Sequence, residues 1–391
     1  MLLKLINLFS KLVKYCHIFI FRGNSVKKWF QSYILPGLIV QSATIGGAYG
    51  SGAELKEFFI PFGPGGGFLG MVVSTIVFSL VIAASYEFSR VFQIFDYKNF
   101  TKKLLGRGWV IYEILFILLM VLIISVVSAA GGTLFEATFS MPALVGTVGI
   151  VAMIAILVFY GNKGIERAFA VWSFVLYGAY ILFLYWNLDQ HGAQISDSLS
   201  TFDVKEGWFF SGIKYSGYNI ALVPILLFCV RNLKTRRETI GAGLLAGPII
   251  MIPAMLFYFG MIGQYDNIQA TSELPVTVLL NALEGAEIFA IIFPIVLFGT
   301  FIETGAALIH GLNERIFNRY EERGKTLPKV ARPLIALSVL FTSIVLADSL
   351  GLVNLIGQGY GYITYGYLIV FVIPILTWGV WKIRAEGIAK N

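Results

Sequence analysis

Apolar stretches of about twenty residues, the length that crosses a bilayer as a helix, recur ten times between residues 32 and 381. They cover 32–59, 66–90, 108–134, 142–161, 166–187, 208–230, 240–262, 286–311, 331–347 and 357–381. A bilayer core offers no water to peptide groups, so such a chain must satisfy them within helices. The expected fold is therefore an all-α membrane protein, with polar loops at 189–206 and 264–284. Only 13% of the residues are charged, about half the usual share in a soluble domain.

The net charge of +7 invites a nucleic-acid reading, but the distribution excludes it. With the N-terminus inside, all of the 29 lysines and arginines except Lys56, Lys205 and Lys214 fall on the cytoplasmic side. That is the positive-inside bias of an integral inner-membrane protein with both termini in the cytoplasm. Residues 1–30 are set apart as a cytoplasmic segment, and 31–390 as one transmembrane domain. The apolar residues of 1–22 alternate with Lys4, Lys11 and Lys14, which reads as an amphipathic helix on the membrane surface. Cys16 and Cys229 support no disulfide framework, and three scattered histidines support no metal cluster.

The first apolar segment is interrupted. Gly46, Gly47, Gly50 and Gly52 crowd together, and Glu54 and Lys56 follow at once. Each glycine costs a helix interior about 1 kcal/mol relative to alanine, so the segment unwinds readily. The sixth segment also mixes glycine with polar groups, from Ser211 through Tyr215, Ser216, Gly217, Tyr218 and Asn219. Five spans followed by five spans enter the membrane from opposite sides, repeat one over about 32–187 and repeat two over about 208–382. Broken helices at matching positions of inverted halves point to a solute site near the midplane; the competing reading is that the glycines only permit close helix packing.

Gly50-Ser51-Gly52, the later Gly65-Gly66-Gly67-Phe68 and Glu87 in the second helix are spaced as in LeuT-type sodium symporters. With Gly357-Gln358-Gly359-Tyr360-Gly361-Tyr362 opening the tenth span, the whole chain most closely resembles the YkvI-like bacterial membrane proteins. These belong to the amino acid–polyamine–organocation superfamily. The resemblance implies ten helices in a 5+5 inverted repeat, with helices 1 and 6 broken. It implies a solute site made by Gly46, Gly47, Tyr49, Gly50, Ser51 and Gly52 of the first helix. The wall from the sixth helix would be Tyr215, Ser216, Gly217, Tyr218 and Asn219. Lys56 stands in the place of a gate arginine, keeping the charge without the bidentate fork. On this reading Gly52→Leu removes solute binding and leaves expression near normal.

The eighth span carries Glu303, and an acid deep in a spanning helix costs roughly 2.5 kcal/mol or more. Thr300, Glu303 and Thr304 share one helix face. By resemblance Thr304 supplies a sodium-binding hydroxyl, with carbonyls of Gly46 and Tyr49 completing the ion site. Gly305 stands where a second hydroxyl is expected. Glu303 is expected either to replace that oxygen or to carry a proton instead of the ion; otherwise it is a neutral acid bonded to a neighbouring helix.

The expected function is a secondary active transporter for a small amino-acid-like solute, zwitterionic or anionic, coupled to sodium or protons. The alternative is a non-transporting ligand sensor on the same fold. No cofactor or metal beyond a sodium ion is expected. An enzyme is not, because no nucleophile–base pair or phosphate loop is present.

Overall fold

The computed structural model describes residues 28–389, apart from 45–46, 161, 271–273, 322–323, 325–327 and 329–330. The amphipathic helix expected over 1–22 lies outside the described residues. Regular structure among the described residues is entirely helical.

The first segment comprises α1 (Leu35–Thr44), α2 (Gly47–Gly50) and α3 (Ala53–Phe58), and it is interrupted at Ser51-Gly52 as its glycines predict. Then come α4 (Gly63–Phe92), the short amphipathic α5 (Tyr97–Leu105), α6 (Trp109–Phe139), α7 (Ala143–Tyr160) and α8 (Asn162–Thr201). The second half holds α9 (Trp208–Asn219), α10 (Arg236–Ile262), α11 (Tyr265–Ala270), α12 (Pro275–Asn281) and α13 (Glu287–Glu321). It ends in α14 (Ala331–Asn354), α15 (Gly361–Tyr367) and α16 (Val380–Ala389), with π-helical turns around α15.

Among the described residues, five stretches are long and apolar enough to cross a membrane: Ala53–Phe92, Tyr97–Phe139, Arg236–Ile262, Glu287–Ile309 and Pro333–Glu386. Two of them join segments that the hydropathy pattern separates. Ala53–Phe92 carries the end of the first span into the second, and Pro333–Glu386 carries the ninth into the tenth. Large apolar side chains on these helices face outward, such as Ile288, Ile291 and Ile295 on one face of α13. In water such stripes would be a liability; against lipid they cost nothing. The protein is an integral membrane protein.

Two details depart from the sequence reading. The stretch 189–206 is not a loop throughout, because α8 runs on to Thr201 with a kink at His191. Its polar composition hides a packed face: Ile195 is buried and Ser198 Oγ donates to the Ile262 carbonyl at 2.9 Å. Gln190 also clasps Glu284, donating to its carbonyl at 3.0 Å and accepting from its amide at 2.9 Å. The sixth segment, likewise, is a regular helix through its glycines and departs from α geometry only after Asn219. There it tightens into 3-10 turns at Ile220–Ile225 and Leu227–Val230. Pro224 accounts for the change, since it lacks an N–H and cannot continue an α-helical ladder.

The helices pack as two groups. α1, α4, α9 and α10 lean on one another, and α6, α7, α13 and α14 form a second set, with α8 touching both. The α4–α10 contact is close because Gly243 has no side chain: a Cβ there would lie 2.3 Å from the Cα of Ala83. At the Glu87 end of α4 the same pair is tied by that residue. Its carboxylate accepts from Arg90 at 2.9 and 2.6 Å and from the Thr239 hydroxyl at 2.6 Å.

Candidate functional site

A cavity of ≈ 40 Å³ lies between the two groups. Thr44 at the end of α1, Glu54 in α3, and Tyr218 and Asn219 at the end of α9 line it from one side. Ile123 and Val127 of α6 and Thr304 and Leu308 of α13 line it from the other, and Tyr360 closes it. A water needs roughly 10–15 Å³ of such space, so the volume suits an ion, a few waters or a small polar head group.

Glu54 is the buried acid of this cavity, only 5% exposed. The turn that aims it inward starts at Gly52, whose φ of +80° is left-handed backbone that favours glycine. Its carboxylate accepts from the Tyr218 hydroxyl at 2.6 Å, which links the two interrupted helices through the site. The Tyr218 ring in turn stacks on Tyr360 at 4.2 Å between centroids and 13° between planes.

None of the first-helix residues expected to make the site, Gly46, Gly47, Tyr49, Gly50, Ser51 and Gly52, is among the described residues that line this cavity. Gly46 lies outside the described residues, and Gly47 begins α2. Tyr49 is buried and engaged within the protein. The carbonyl of Gly50 accepts from the Tyr180 hydroxyl at 2.5 Å, and that of Ser51 from the Val276 amide at 3.1 Å. Gly52 packs away from the cavity: a Cβ on it would sit 2.6 Å from Phe257 Cε1 and 2.9 Å from Pro275 Cβ. The break is therefore real, and neighbouring helices take up the Gly50 and Ser51 carbonyls. The later triple glycine seats a loop, because the amides of Gly65 and Gly66 donate to the Asp203 carbonyl at 2.9 and 3.0 Å.

Of the sixth-helix wall, Tyr218 and Asn219 line the cavity. Tyr215 packs edge-on against Phe58 and Phe59, and the Ser216 hydroxyl folds back onto the Gly212 and Ile213 carbonyls. Gly217 meets Thr364 of α15, in keeping with close helix packing. In α13, Thr304 reaches the cavity, whereas the buried Thr300 hydroxyl donates to the Val296 carbonyl at 3.1 Å. Glu303 is half-buried, is not among the cavity's lining residues and interacts within the protein. Gly305 has a steric reason to lack a hydroxyl, since a Cβ would fall 2.3 Å from Ile154 Cδ1 of α7. Lys56 is half-buried on α3, its amide donating to the Gly52 carbonyl at 2.9 Å.

The residue that sequence reasoning passed over is Glu54. A signal was there, an acid two positions after a glycine break inside an apolar stretch. Glu303 drew attention instead because its surroundings in sequence are a regular helix.

The architecture is that of the LeuT-type transporter fold. MhsT in complex with L-phenylalanine superposes with a TM-score of 0.62 at 12% identity, over 92% of this chain and 98% of that one. The manganese transporter of Eremococcus coleocola superposes with a TM-score of 0.58 at 14% identity, over 90% and 80% of the two chains. In sequence the chain is similar to the uncharacterized membrane protein YkvI of Bacillus subtilis, 24% identical over 209 residues. That match spans 52% of this chain and 58% of YkvI. No family model matches the chain.

Proposed function

We propose that the protein is a secondary active transporter that moves a small organic solute by alternating access. The carrying observation is the cavity, with a few polar groups in a largely apolar wall, where two interrupted helices of one packed group face α6 and α13 of the other. Solute sites of this fold class lie at such junctions, and rocking of one group against the other opens them to either side. An organic solute is preferred, because the cavity sets Glu54 and a few polar side chains beside the hydrocarbon of Ile123, Val127, Leu222 and Leu308. Ten spans arranged 5+5, with both termini and residues 315–332 in the cytoplasm and 189–206 outside, complete the proposal. Cysteine labelling in intact cells checks the orientation: single cysteines in 189–206 react from outside, and external labelling within 315–332 would reverse it.

Coupling to sodium or protons is assigned to polar groups at or near the cavity, with Thr304 first. In proteoliposomes carrying an imposed gradient, solute accumulates under one of the two ions. One elementary charge moved down 100 mV supplies about 2.3 kcal/mol, enough for roughly fifty-fold accumulation. If sodium is the ion, Thr304→Ala raises the sodium concentration needed for half-maximal uptake about tenfold, the loss of about 1.4 kcal/mol. Glu303→Gln, tested beside it, leaves ion dependence unchanged if that residue serves only structure. Saturable binding without uptake under either gradient would identify a sensor instead.

A further inference from the structure

We infer that the central cavity selects solutes by a positively charged ammonium group, with Glu54 as its counter-charge and the Tyr218–Tyr360 pair as its aromatic wall. The inference rests on the transporter reading above for its setting and narrows it to a substrate class. Glu54 is buried, and its carboxylate is held toward the cavity by the Tyr218 hydroxyl at 2.6 Å. No lysine, arginine or histidine is among the described lining residues. A buried carboxylate without a cation is an unfavourable state, and a cationic solute removes that penalty on entry.

The remaining wall distinguishes an ammonium from other ligands. Tyr218 and Tyr360 stack beside the carboxylate, and tyrosine rings attract cations. Thr44, Asn219 and Thr304 add polar atoms, although the Asn219 amide already donates to the Tyr215 carbonyl at 3.0 Å. Ile123, Val127, Leu222 and Leu308 make the rest a hydrocarbon surface. A bare metal ion needs oxygens to replace its hydration shell, and this wall offers hydrocarbon on one flank. An ammonium on a short apolar chain matches both halves, as small-molecule sites generally combine an apolar lining with a few placed polar groups. A free carboxylate on the solute would meet Glu54 as a like charge. The zwitterionic and anionic solutes expected from the sequence are set aside on this inference.

The test is binding of matched three-carbon probes to the full chain in detergent, by calorimetry and thermal shift, with transport followed separately in liposomes. Propylamine is expected to bind at least tenfold more tightly than 1-propanol, propionate or β-alanine. Glu54→Gln should remove that preference. If Glu54→Gln fails to fold, the panel on the unaltered protein still decides. Propionate or β-alanine binding as well as propylamine, or no binding of propylamine to folded protein, overturns the inference. Glu54-dependent stabilisation by sodium chloride alone, with no amine effect, also overturns it and gives the carboxylate to a metal ion. Propylamine that binds through Glu54 without crossing the membrane keeps the inference and defeats the transport reading. Transport of an uncharged solute that survives Glu54→Gln does the reverse.

Discussion

Arg90→Met is expected to destabilise the protein by about 3 kcal/mol, and adding Glu87→Gln should restore most of the loss. Glu87 is 3% exposed and its carboxylate takes two hydrogen bonds from Arg90 and one from Thr239. Removing the guanidinium leaves a buried anion held by one hydroxyl, a change that costs about 3–5 kcal/mol in buried pairs. The Arg90 side chain keeps 23% of its exposure, which places the cost at the low end. The double variant carries no charge at the site and retains Thr239 as a donor to the new amide. Melting midpoints of the two single variants and the double variant check this. Additive losses would mean that the pair is not coupled and that α4 and α10 are held by packing alone.

Gly52→Leu is expected to cost about 2–5 kcal/mol and to lower expression, because two penalties add. A side chain at φ +80° is strained by roughly 1–2 kcal/mol, and overpacking adds about 1–3 kcal/mol. The overpacking is direct, with Phe257 and Pro275 less than 3.0 Å from the new Cβ. The sequence reading expected the opposite pattern, loss of solute binding with normal expression. Thermal stability and expression separate the two: a Gly52→Leu protein with an unchanged midpoint and no ligand binding would return Gly52 to the site. Gly52→Ala, which meets the same φ and the same Cβ contacts, should show a smaller loss in the same direction.

These two sites mark how far local sequence reaches. The helical membrane fold was legible because a bilayer imposes one length and one hydrogen-bonding solution on every span. The break at Gly50-Ser51-Gly52 was legible too, since glycine weakens a helix wherever it lies. Helix propensity and hydropathy are properties of neighbours along the chain, so they need no knowledge of the rest of the molecule.

Which groups face the cavity could not be read in that way. Glu54 and Glu303 are both acids in apolar surroundings. Glu54 reaches Tyr218 only because the chain turns at Gly52 and α9 returns beside it, 164 positions away in sequence. The carbonyls of Gly50 and Ser51 look available in the sequence, yet Tyr180 and Val276 claim them from distant segments. Residues 189–201 read as a loop by polarity and are helical because Ile195 and Ser198 find partners across the fold. The sequence by itself determined a helical membrane protein with an interrupted first span. Tertiary structure alone decided which acid enters the cavity and which exposed backbone is already paired. Those outcomes depend on contacts between segments whose separation along the chain carries no local signal.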